Sequence, residues 1–270
     1  MSSDTVSSSH STHLRQFTRV LAFHKVIARF SYGSTNFAPN RFEQLLRLLQ
    51  NRNVRFVPAI YRPMGDNNRI PVAFTFDDCY AHLADVLPRL IELFEIQPLI
   101  FVPTALIGKP NRWDYSHLFR VDPHMDRQAM RMLAERGVQF GSHGHQHIDM
   151  TSLSERRLMI DLRQSKEILE DIIRTEVNTI SYPFGRVSST VMQVARACGF
   201  KYGYTMRFPT AGDTPENLGR IPIYGYDTPL SISAKLKSSG PLLGLERFKC
   251  LVTNSMSGGT VILNKFRRVS

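Results

Sequence analysis

The chain has 270 residues, 42% hydrophobic and 21% charged, enough apolar material to bury one large core. Its net charge of +11 favours anionic partners, but the basic residues are spread along the sequence without a nucleic-acid-binding motif, so nucleic acid is not an expected partner. No apolar run reaches the length of a membrane-spanning helix, so no membrane span is expected, while the charge leaves peripheral membrane contact open.

Residues 1–16 are polar and Ser-rich and predict a flexible tail. They lack the apolar centre of a secretory signal, which makes the cytoplasm the expected location. Cys79, Cys198 and Cys250 are scattered, without CxxC spacing; they suit a reducing compartment and argue against a thiolate zinc site. Residues 17–270 show no internal repeat and no linker, and predict a single domain. Strands are predicted at Thr18–Phe23, Val54–Val57, Pro71–Phe76, Leu99–Val102, Val138–Ser142, Val177–Tyr182, Lys201–Thr205, Arg220–Ile223 and Thr260–Leu263. Helices are predicted between them at Phe42–Gln50, Ala81–Phe94, Asp126–Glu135, Ser154–Ile173, Ser189–Ala197 and near Leu242–Val252. Such alternation implies an α/β fold with a parallel sheet, open or closed into a barrel. Ser152 and Glu155 have the spacing of a reciprocal helix cap. The segment Pro103–Met125 holds the one Trp, Trp113, and predicts a loop over one end of the sheet.

Three stretches carry the chemistry. In Ala73–Tyr80 an apolar strand ends in Asp77 and Asp78. Neighbouring side chains on a strand face opposite ways, so paired acids mark its end, where a turn can bring both to one cavity; a simple helix cap is the alternative. In Phe140–His147 three histidines follow another strand, and His143 and His147 are spaced to converge on one ion, with His145 free to point elsewhere. The third stretch, Ile180–Gly185, alone predicts only a turn. A carboxylate with two imidazoles suits Zn2+, or Fe, Co, Mn or Ni, with positions left for water and substrate. A second carboxylate beside the ligand is what metal-assisted hydrolysis requires of a base.

In this order the three stretches resemble the polysaccharide deacetylase family (NodB-like, carbohydrate esterase family 4). Thr75–Cys79 resembles its first motif, TFDDG. His143–His147, with Gly141-Ser142 before and Leu153-Ser154 after, resembles its HxxxH motif. Val20–Val26 and Ser165–Glu170 are similar to the opening strand and the helix before the third motif, and the likeness spans roughly residues 18–225. The resemblance implies a distorted (β/α) barrel and a deacetylase-like catalytic domain over 17–270. It implies Asp77 as general base, and Asp78, His143 and His147 as ligands of one divalent ion. The implied substrate is an acylated sugar, nucleotide- or lipid-linked if the site is cytoplasmic and the basic surface takes part.

Three positions depart from the family pattern. Cys79 replaces a Gly. Ser181 stands where many members carry an Arg, in the manner of a Tyr-Pro branch, and Arg220 is the candidate for the displaced charge. Asn264 stands in the last strand where the family places a His that protonates the leaving group, and an amide cannot act as that acid. Two rival readings remain: a catalytically degenerate member that binds carbohydrate on Trp113, Tyr115 and Phe184, and a 2-His-1-carboxylate iron oxygenase. The second is disfavoured because Asp149, nearest the His cluster, reads as a loop residue or helix lead-in. His24, His117 and His124 are weighed as replacement acids, with His24 at least as well explained as structural. His10 and His13 fall in the tail.

Overall fold

In the computed structural model the described residues are 18–28, 35–60, 69–111, 122–237 and 239–256. The predicted tail, the strand at Thr260–Leu263 with Asn264, and Trp113, Tyr115 and His117 lie outside them. In chain order the elements are β1 (Arg19–Phe23), β2 (Lys25–Val26), β3 (Asn36–Phe37), α1 (Pro39–Gln50), β4 (Val54–Phe56), β5 (Ile70–Phe76), α2 (Leu83–Phe94) and β6 (Leu99–Val102). There follow α3 (Arg127–Glu135), β7 (Gln139–Ser142), α4 (Glu155–Ile173), β8 (Thr179–Ser181), α5 (Ser189–Ala197), β9 (Tyr202–Thr205), β10 (Leu218–Gly219), β11 (Ile221–Pro222), α6 (Pro229–Lys235) and α7 (Pro241–Met256).

Every described strand pair is parallel, in the order β10-β9-β8-β7-β6-β5-β1-β11, with β4 added against β5. The two ends of that order are halves of one extended run. Gly219 sits opposite Thr205 of β9, and Ile221 sits opposite Leu21 of β1. Arg220 lies between them, at the seam where the sheet returns upon itself, so the parallel sheet is a (β/α) barrel as expected.

Strand parity sorts the core into two. Val20, Ala73, Leu99, Phe101 and Tyr204 form an inner cluster. Their strand neighbours Leu21, Phe74, Ile100 and Val102 face the helices and join a larger cluster with Leu45, Leu87, Leu133, Leu162 and Val194. Parity extends along β5, so Ala73, Thr75 and Asp77 all face inward.

Helix starts follow local chemistry. Asp126, Ser188 and Thr228 accept hydrogen bonds from Ala129, Val191 and Ser231 backbone N–H groups at the first turns of α3, α5 and α6. The expected cap at Ser152 is corrected: Ser154 is the N-cap of α4 and makes no side-chain cap bond. Ser152 instead ends a 3-10 turn, its hydroxyl donating to the Asp149 carbonyl at 2.7 Å. The turn satisfies the chain entering α4 before the Ser152 side chain is needed there. α6 was missed because seven residues rich in Ser and Ile have weak helical propensity; Thr228-Pro229 was the available start signal.

Beyond the seam, a buried ion pair fastens α6 to the chain leaving β11, and Ser231 links α6 to α7. Lys235 Nζ donates to Asp227 Oδ2 at 2.5 Å and to the Pro222 carbonyl at 2.9 Å, while the Ser231 hydroxyl lies between the Asp227 and Glu246 carboxylates, 2.7 and 2.8 Å from them. Both side chains of the pair are wholly buried. Replacing Lys235 with Met strands the Asp227 charge and should cost about 3–5 kcal/mol in urea denaturation, with the Lys235→Met/Asp227→Asn double variant recovering part of the loss.

Candidate active site

The C-terminal ends of β5, β7 and β8 meet at one end of the barrel. Asp77 ends β5 facing inward; its backbone N–H donates to the Phe23 carbonyl at 2.9 Å, tying the strand end to β1. Arg220 grips its carboxylate with both nitrogens, Nη1 to Oδ1 at 2.7 Å and Nη2 to Oδ2 at 2.8 Å. The same guanidinium donates to Ser181 Oγ at 2.7 Å, Thr75 Oγ1 at 3.2 Å and the Thr205 carbonyl at 3.3 Å. It lies over Phe101 and Tyr204, 5.2 and 5.9 Å from their ring centroids. Burial, the largest single influence, pushes the Asp77 carboxyl up, but the Arg220 charge and hydrogen bonds together with the nearby His143 and His24 outweigh it and hold the group below the usual carboxylate range. The seam places Arg220 on the Asp77 side, which Ser181 had left without its own positive charge.

Asp78 and Cys79 turn out of the strand in left-handed conformation, φ 70° and 51°. The turn is held from outside: the Met125 N–H donates to the Cys79 carbonyl at 2.8 Å, and His124 Nδ1 meets the Asp78 carbonyl at 2.6 Å. His124 is buried and stacked on Tyr80, with its Nε2 making no hydrogen bond among the described residues.

His143 and His147 leave β7 on a loop whose backbone is held by hydrogen bonds from several sides. The His143 N–H donates to the Val102 carbonyl, and Gly144 N–H donates to Ser142 Oγ, itself bonded to Ser165 at 2.6 Å. Asp161, almost fully buried on α4, accepts from the backbone N–H groups of His145 at 2.8 Å and Gln146 at 3.2 Å. Gly144 has φ 74°, and a Cβ there would lie 2.9 Å from Met150 Cε and 3.1 Å from Asp161 Oδ2, so the loop can close this tightly only on glycine. His145 turns away, its Nδ1 2.9 Å from Thr104 Oγ1. Asp149 is a loop residue as expected, capping the 3-10 turn and pairing with Arg186 at 2.8 Å.

Asp78, His143 and His147 are all buried, and one donor atom of each lies within 4.8 Å of the others. Asp78 Oδ1 is 3.2 Å from His147 Nε2 and 3.6 Å from His143 Nε2. The tautomer of His143 follows from its other nitrogen, which meets the Ser181 carbonyl at 2.7 Å and therefore carries the proton. Burial holds that imidazole down at about 4, so near neutral pH it is uncharged. Its Nε2 lone pair then points at a carboxylate oxygen in a buried space, an arrangement that is repulsive until a cation stands between them. The donor set thus fits a divalent ion. The third motif supplies the Ser181 carbonyl and Phe184, whose ring stands edge-on to His147 at 5.0 Å. Half-buried His24 is near enough for its charge to favour the ionised forms of both Asp77 and Asp78. Asp161 and Ser165 were not picked out from the sequence, where they are polar residues four apart on one helix face; their position behind a His-rich loop was the only signal.

A family model described as polysaccharide deacetylase matches residues 64–203. The chain belongs to the polysaccharide deacetylase family. It is 24% identical over 135 residues to a Bacillus subtilis (strain 168) protein named as a polysaccharide deacetylase, YxkH, the match covering 50% of this chain and 44% of that one. The chain thus spans less than half the length of this curated relative. Among solved structures it is similar to the Streptococcus pyogenes deacetylase PplD in complex with acetate, at TM-score 0.69 and 19% identity over 82% of this chain and 98% of that one. It is also similar to IcaB from Ammonifex degensii, at TM-score 0.68 and 20% identity over 83% and 98% of the two chains. At such identities these two likenesses establish the fold.

Asp161→Ala removes the acceptor of two loop N–H groups and should cost about 1–3 kcal/mol in denaturation. Because those groups hold the loop between His143 and His147, the variant should also bind an added divalent ion more weakly than the unaltered protein, as read by equilibrium dialysis.

Proposed function

We propose that this chain is a metal-dependent hydrolase that removes an N-acetyl or other acyl group from an amino sugar or related carbohydrate. The observation that carries this reading is the His143 lone pair facing Asp78 at 3.6 Å, with a second carboxylate, Asp77, held ionised beside them by Arg220. Membership of the polysaccharide deacetylase family supports the substrate class.

Asp78, His143 and His147 would hold one divalent ion, Zn2+ or alternatively Co2+, Ni2+, Mn2+ or Fe2+. Bound there, the ion would supply Lewis acidity toward the acyl carbonyl and the attacking water. Asp77 takes the proton from that water. Arg220 keeps Asp77 ionised and, by occupying both its oxygens, fixes the direction of its remaining lone pairs. Ser181 works twice: its carbonyl sets the His143 tautomer and its hydroxyl accepts from Arg220. Amide cleavage then requires a proton on the departing nitrogen, and Asp77, protonated at that stage, returns it. This route needs no histidine at position 264. The basic surface suits an anionic carrier on the sugar, a nucleotide or a phosphorylated lipid.

Metal analysis tests the ligand set. His143→Ala and His147→Ala should lose the bound ion and His145→Ala should keep it; full loss in the last variant would overturn the assignment. Asp77→Asn keeps the shape and removes the basicity. It should retain the ion and lose at least about 100-fold in acetate release from N-acetyl sugars. The screen should cover free, nucleotide-linked and lipid-linked substrates, and unchanged turnover in Asp77→Asn would eliminate the base.

A further inference from the structure

Helix α7 carries an apolar face with nothing packed on it among the described residues. Leu242, Leu245, Phe248, Leu251 and Val252 are 45–68% exposed, although each is a side chain that would ordinarily be buried. At roughly 100° per residue they cover about half the helix circumference. Leu243, Glu246 and Cys250, the residues α7 buries, lie on the opposite side, with Phe248 facing directly away from them. Arg247 and Lys249 fall at the two edges of the apolar arc. Glu246, the one acid on the helix, is buried and satisfied by Ser231 and Lys249.

The charge around this face is lopsided. From Pro229 to Met256 the chain carries four Lys and Arg against a single acid, Glu246: Lys235 is buried against Asp227, Lys249 is half-buried beside Glu246, and Lys237 and Arg247 are exposed without a described acid beside them on this stretch. An apolar arc bordered by cations, on a helix without exposed acids, matches an anionic lipid surface: the acyl boundary takes the apolar side chains and the headgroups take the Arg and Lys. A second copy of this chain would bring the same cations against themselves.

We propose that α7 lays its outer face on an anionic bilayer surface, seating the protein as a peripheral membrane protein. The placement has a geometric consequence. Tyr226 follows β11 at the end of the barrel where Asp77 sits, and its hydroxyl meets Thr253 Oγ1 of α7 at 2.7 Å. Arg19 Nε at the opposite end of the barrel donates to the Leu236 carbonyl, so the chain descends through α6 and returns along α7 to the rim. The C-terminal turns of α7 therefore stand beside the mouth of the site, and a membrane bound there lies within reach of that mouth. The inference concerns where the protein sits and holds whether or not the deacetylase reading does.

Flotation of the full chain with vesicles tests it, comparing phosphatidylcholine alone with mixtures rich in phosphatidylglycerol. The protein should float with the anionic vesicles, at least about tenfold better than with neutral ones, and this binding should weaken as salt is raised. The Leu245→Ser/Phe248→Ser/Leu251→Ser variant changes only exposed positions, so it should keep its circular dichroism and metal content while losing about tenfold or more of the binding. Equal binding by this variant, or no preference for anionic vesicles, overturns the proposal. A polarity-sensitive label on Phe248→Cys, the three native cysteines being buried, should shift blue only when vesicles are added. A label already blue in buffer would show the face covered by this chain itself or by a second copy, and would overturn the proposal too.

Discussion

Arg220 is wholly buried inside a barrel, at the position where the sheet closes, and its charge has to be answered there. An unpaired guanidinium in that place would cost several kcal/mol, and only an inward-facing carboxylate with further acceptors can remove the cost. Asp77 provides the carboxylate in two-pronged geometry, and Thr75, Thr205 and Ser181 provide the remaining acceptors. The pair joins β5 to the β10–β11 run and, through Ser181, to β8. Closing the barrel and ionising Asp77 are therefore one event. A sheet left open at this seam would leave a buried Arg and a buried Asp each without a partner.

From that anchor the site assembles by parity. Asp77 faces inward because Ala73 and Thr75 do, and Asp78 can join the histidines only if the chain leaves strand geometry at once. It does so at a cost. The described non-glycine residues with positive φ are Asp78, Cys79, Glu95, His147, Arg174 and Phe184. Glu95 and Arg174 are ordinary helix ends. The other four all lie in the three motifs, each costing on the order of 1–3 kcal/mol. Strain is concentrated where the donor atoms converge, and the surrounding bonds from Met125, His124 and Asp161 are what sustain it. Cys79, which stands where the family has glycine, is part of that strain, so the departure changes the cost of the turn and not the groups it presents.

Outside the site the same economy of buried charge recurs at the far side of the seam. Lys235 and Asp227 bind α6 to the chain leaving β11 and so hold the strand that carries Arg220. The outer side of α7 has no such partner among the described residues, and its apolar arc is a surface feature that neither core nor site explains.

The sequence by itself determined the elements and the chemistry within each short stretch. Alternating apolar runs located the barrel strands to within two residues or so, because parity and burial are properties of a few neighbours. Adjacent acids and the HxxxH spacing marked the donor atoms for the same reason, and His145 could be set apart from His143 and His147. Arg220 was named as a candidate because Ser181 left a charge missing, yet its partner lies 143 residues away. That contact depends on which strands neighbour one another and in what register, and no local pattern encodes this. The Ser181 carbonyl that sets the His143 tautomer, Asp161 behind the histidine loop and the cap at Ser154 in place of Ser152 belong to the same group. Each depends on where a distant or competing backbone group comes to rest, which only closure of the barrel and packing of α4 against β7 decide.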